Sequence, residues 1–238
     1  MKTIMMAIGI LVPSLSTGAL YANENPGFDR DLSSLRKNLI QTCGKLQSAD
    51  AETSRDSILK GIDETMAAWN SMALKYSNDI PEQYAGDKGW KGYFAEAADN
   101  FSLMKARAEE GKYGRAVQFC GMNCALFVKI HQVNGTVTIA DKMFTLRMNA
   151  KLFVSMALAS NTKGLVKMMK HTDEVLEDIH NMPAPADADK TAYAADIAKL
   201  DEIYASLKTV AAKGSDAEIN EGMAAFMKEF GKIYFKYI

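Results

Sequence analysis

The chain has little cysteine, little proline and no charge imbalance, and each shortage excludes something. Three cysteines in 238 residues are too few for a disulfide-dense scaffold, and their odd number leaves one thiol over. Five prolines and 16 glycines exclude a collagen-like or low-complexity chain. With 28 Lys and Arg against 29 Asp and Glu, the basic excess of a nucleic-acid binder is missing, so no nucleic-acid partner is expected. No uncharged apolar run reaches the roughly 20 residues that cross a bilayer as a helix, so no membrane span is expected. There is no Glu-x-x-His pair of the di-iron bundles, no Gly-rich phosphate loop and no Gly-x-Ser-x-Gly elbow. No catalytic residue is therefore assigned, and an enzyme is not the expected class. What is present is a 48% hydrophobic composition, enough for one or two cores, and a high count of 15 methionines.

The first 22 residues, MKTIMMAIGILVPSLSTGALYA, begin with a positive charge at Lys2, continue with an apolar run to about Leu15 and end on small residues. This pattern reads as a secretory signal peptide cut after Ala22, with Ala19 as the alternative site. It predicts an exported chain, periplasmic or secreted, in a compartment where thiols oxidise.

From Asp29 onward apolar residues recur at spacings of three and four, and no alternating strand pattern with hairpin turns occurs. The periodicity predicts an all-helical fold. Helices are expected at about 29–48, 54–78, 90–110 and 113–134, and again at 138–159, 162–181, 194–213 and 216–238. Gly111 and Gly135 stop the third and fourth. The second half echoes the first in its residues. At an offset of about 103, Phe101, Met104, Lys105, Ala108 and Gly111 fall on Tyr204, Leu207, Lys208, Ala211 and Gly214, and Phe127, Lys129 and Ile130 fall on Phe230, Lys232 and Ile233. At an offset of about 111, the LRKN beginning at Leu35 matches the LRMN beginning at Leu146. Such a period is too long for a solenoid unit. It predicts two tandem up-down four-helix bundles, 23–135 and 136–238.

On the fourth helix Cys120, Cys124, Phe127 and His131 are four, three and four residues apart, so they share one stripe facing the bundle core. In an up-down bundle this helix runs antiparallel to the first, which brings Cys43 level with Cys120. Three readings of this thiol layer follow. Cys43 is disulfide-bonded to Cys120 or Cys124, as export favours. Alternatively Cys43, Cys120 and Cys124 hold a soft metal such as copper or zinc, with Met122 or His131 assisting. Or the cysteines are small apolar core residues, because the matching positions of the second half are Val154, Met223 and Met227. His171 and His180, nine residues apart, fall on opposite helix faces and share no metal. Trp69 and Trp90 flank the second connection and are expected to close that end of the bundle.

Four helices of this length, an aromatic third helix ending in a Gly turn and a cysteine pair in the fourth resemble the cytochrome c-prime class of four-helix-bundle c-type cytochromes. That class carries Cys-x-x-Cys-His on its last helix, with the thiols linking a haem and the His ligating its iron. Aligned on Phe127, the FCGMNCALF stretch puts Cys120 at the first Cys, Asn123 at the second and Cys124 at the His. The resemblance implies haem held through Cys120 and Cys124, electron transfer, and a periplasmic redox or metal-handling partner.

Overall fold

The computed structural model describes residues 27–48, 51–186 and 188–238. The signal sequence expected at 1–22 lies outside these residues. Among them the chain forms eight α-helices and no strand: α1 Phe28–Leu46, α2 Arg55–Tyr76, α3 Trp90–Glu109, α4 Tyr113–Asn134, α5 Ile139–Leu158, α6 Thr162–Asn181, α7 Lys190–Lys213 and α8 Asp216–Tyr234. A single 3-10 turn, Glu82–Tyr84, interrupts the connection between α2 and α3. None of the described helices is long and apolar enough to cross a membrane.

The local reasons for these boundaries are legible. The chain leaves α3 and α4 through Gly111 and Gly135, both at φ +70°, where a side chain would strain the backbone. The amide of Thr136 then returns to the carbonyl of His131. α5 and α8 start on reciprocal capping boxes, Thr138 with Asp141 and Ser215 with Glu218. α7 begins at Lys190, four residues before the expected Ala194, because the Asp189 carboxylate accepts the Ala192 amide and caps the helix there. The Pro-bearing linker is correspondingly shorter than its composition suggests.

Packing follows from the apolar stripes. Leu32, Leu35, Leu39, Cys43 and Leu46 of α1 are all buried, as the spacing predicts. α1 lies against α2 and α4, and α3 lies between α2 and α4. α5 lies against α6 and α8, α7 contacts α5, α6 and α8, and α4 meets α5. This is the packing of helical bundles. The core of the first four helices is an aromatic stack: Trp69 lies over Phe94 at 5.2 Å and over Phe127 at 5.8 Å, with Phe101 at 6.1 Å. Trp69 is thus a central core residue and not an end cap, and its indole N–H donates to the Phe94 carbonyl. Trp90 does close an end, where it stacks on Tyr84 at 4.8 Å and packs against Phe28. The core of the last four helices is built on Phe153, Tyr204, Phe226 and Phe230.

Candidate functional site

The α1 and α4 stripes place Cys43 and Cys120 at one height, with their Cα atoms 6.2 Å apart, and the two form a disulfide. Of the two partners open to Cys43 on sequence grounds, Cys120 is the one taken. The Met104 thioether of α3 lies 3.5 Å from Cys120 Sγ, so three helices meet at this sulfur layer. Cys124 is a free, buried thiol one turn further along α4. Burial pushes its pKa up, against the pull of Arg36 and Arg147, so the thiol stays protonated.

The resemblance to c-type cytochromes implies a haem, and the residues here do not fit one. The sulfur at the first Cys position is bonded to Cys43, the second position is Asn123, and the position of the iron ligand is a protonated buried thiol. The interior beside them is filled by Trp69, Phe94, Phe101 and Phe127, each 6% exposed or less. Nor does the structure gather the residues expected to share a soft metal. In the disulfide Cys43 and Cys120 have no thiolate to offer, and among the described residues no three His, Cys, Asp or Glu side chains converge on a metal-sized site. His131, two turns beyond Cys124 and about 10 Å further along the helix axis, is engaged elsewhere. Met122, the other assisting residue, is 49% exposed.

What holds His131 is a buried ionic cluster that joins α1, α4 and α5. Its Nδ1 lies 2.5 Å from Asp141 Oδ2, and the other Asp141 oxygen accepts the Arg36 guanidinium at 2.6 Å. Arg36 and Asp141 are 3% and 1% exposed, so this is an ion pair in the protein interior. Asp141 also accepts the Thr138 amide and hydroxyl as part of the α5 capping box. On the other side of the imidazole, Nε2 has no hydrogen-bond partner and faces Asp29 Oδ1 at 3.7 Å. The Tyr84 hydroxyl donates to Asp29 at 2.5 Å and lies 3.1 Å from the hydroxyl of Thr136, and its ring stacks beside His131.

The charges in the cluster fix one another. Burial alone would favour neutral forms, but the Arg36 and His131 charges hold the Asp141 carboxyl far below the usual carboxylate range. In the same way burial opposes the charge on His131, and the Asp141 carboxylate overrides it and raises the imidazole pKa. Arg36, desolvated but paired, stays charged. Tyr84, pushed up by burial and by Asp29, stays protonated and can only donate to a carboxylate.

Reasoning from periodicity missed this cluster because Arg36 and Asp141 are 105 residues apart. Two signals were present: Arg36 lies next to Leu35 in the buried stripe of α1, and Asp141 closes a Thr-x-x-Asp capping box as the third residue of α5. The repeat adds a third signal. Arg36 matches Arg147 at the offset of 111, and His131 matches Tyr234 at the offset of 103. Tyr234 of α8 is close enough to Arg36, Arg147 and Asp141 for all three charges to act on its ionisation. The two exposed histidines take acidic partners, His171 with Glu174 on its own helix and His180 with Asp201 of α7.

No protein-family model, no curated protein and no solved structure matches the chain.

Proposed function

We propose that this chain is an exported, non-catalytic helical module, two tandem four-helix bundles at 23–135 and 136–238, that works by presenting its surface to a partner. The observation that carries the reading is the Cys43–Cys120 disulfide between α1 and α4. A buried disulfide serves an oxidising compartment, in keeping with the signal sequence expected at 1–22. It also spends two of the three thiols on stability, where a soft-metal or haem site would need them as thiolates. The remaining thiol and the imidazole of His131 are each about 3% exposed, out of reach of a substrate. Duplication of the helical plan supplies a second surface without a second chemistry.

The competing reading is a haem or copper centre at the thiol layer serving electron transfer, as the likeness to the c-prime cytochromes implies. One preparation separates the two. Protein purified from an exporting host should be colourless and free of copper. Unfolded without reductant, it should take up one alkyl group, with an intact mass lower by two hydrogens than the reduced chain. A haem absorption band, stoichiometric copper, or three alkylated thiols without reduction would overturn the proposal.

A further inference from the structure

His131 stands between two carboxylates on different helices, with an ion pair on one side and an unsatisfied ring nitrogen on the other. Asp141 of α5 holds Nδ1 at 2.5 Å, and Asp29 of α1 faces Nε2 at 3.7 Å. We propose that His131 is a proton-operated clasp: its imidazolium ties the first turn of α1 to the α4–α5 junction, and loss of the Nε2 proton to solvent releases the Asp29 side.

The groups that face this imidazole are few and can be named. Asp29 and Arg36 come from α1, Tyr84 from the 3-10 turn and Asp141 from α5, while Arg147 of α5 and Tyr234 of α8 stand behind the Arg36–Asp141 pair. When His131 is charged, its two N–H groups face two carboxylates and Arg36 bonds the second oxygen of Asp141. The cluster then holds two cations and two anions and is neutral overall. When the proton leaves, the Nδ1–H stays on Asp141, the shorter contact. Asp141 keeps Arg36, so that side remains closed. Asp29 keeps only neutral donors in the cluster, above all the Tyr84 hydroxyl, and an anion without a facing cation in a partly buried site draws in water. The parts released are the first turn of α1 and the Tyr84 turn, which pack around Phe28 and Trp90.

The direction follows from the raised pKa of His131. Its contribution is fully present below 6.5, the ordinary histidine value, and is lost as pH rises through the higher value it has in the folded chain. The clasp is therefore set below 6.5 and opens as pH rises through the raised value, a response suited to the exported chain proposed above, whose surroundings are not buffered by a cell interior.

Trp90 stacks on Tyr84 and gives a built-in reporter, isolated in a Trp69→Phe background. The experiment follows the His131 ring carbons by NMR and Trp90 emission over the same pH range in the full chain. His131 should remain protonated above pH 6.5, and Trp90 emission should change in step with its titration. Asp29→Asn removes the released carboxylate's charge and leaves the Arg36–Asp141 pair intact. It should move the His131 titration to lower pH and abolish the emission change, as His131→Gln should too. Titration of His131 at or below 6.5, or an emission change that Asp29→Asn leaves in place, would overturn the proposal. If His131→Gln does not fold, the Asp29→Asn shift decides the matter alone.

Discussion

Arg36 occupies a position whose neighbours on the α1 stripe, Leu32, Leu35 and Leu39, are apolar and buried. A guanidinium there is tolerable only because Asp141 meets it from α5. Removing one partner of such a pair strands the other charge in the interior, which typically costs about 3–5 kcal/mol, whereas replacing both by apolar residues of similar volume is often neutral or better. Asp141→Leu should therefore lower stability to urea by about that amount, and adding Arg36→Met should recover a large part of it. A double variant no more stable than Asp141→Leu alone would show that the α5 cap and the His131 contact matter more than the ion pair. The cluster also shapes the acid side of the stability profile. Because the folded carboxyl of Asp141 lies well below 3.8, its contribution is present above that value and is lost only as pH falls through the depressed one. The difference in unfolding free energy between wild type and Asp141→Asn, measured by urea titration, should therefore not shrink between pH 6.5 and 3.8, where the variant's buried His131 also loses its carboxylate partner, and should fall only in stronger acid.

At the scale of elements, the sulfur layer makes the clearest prediction. The Cys43–Cys120 bond closes a long stretch of chain, 77 residues in separation, and cross-links of this kind commonly contribute about 2–4 kcal/mol. Cys43→Ala combined with Cys120→Ala should lower the unfolding free energy by that order. Reductant should bring wild type down toward the variant and leave the variant unchanged. Most of the helical elements were legible beforehand because apolar spacing and glycine stops are local properties of the chain. α4 and α6 begin and end where periodicity puts them, and α3 stops before Gly111 as expected. α7 departs from that pattern because a single carboxylate, Asp189, outweighs the prolines before it. The convergence of Cys43 on Cys120 was legible for a similar reason: one stripe on each of two helices fixes a height. The Arg36–Asp141–His131 cluster was not, since it depends on how α5 lies against α1 and α4, and no spacing within a helix encodes that placement.

At the scale of the molecule, α4 packs against α5 across the Gly135 turn, and the ionic cluster and the Tyr84–Thr136 contact bind the segments on either side of Gly135 to one another. Cutting the connection at an engineered protease site between Gly135 and Thr138 should accordingly leave the two halves associated. They should elute as one species in size-exclusion chromatography at micromolar concentration, and separate elution would show that the covalent link alone holds them. On the duplication proposed here, Arg36 and Arg147 are counterparts, as are His131 and Tyr234. Two identical subunits meeting through this face about a twofold axis would bring like arginines together with the same residues on both sides. Joined in one chain, the copies are free to differ: the counterpart of Asp141 at the offset of 111 is Arg30, an exposed side chain beside Asp31 that takes no part in the cluster. Fusion of such copies would permit one buried acid in this face without a symmetric twin, and Asp141, the one buried carboxylate among the described residues, would be the mark of that asymmetry.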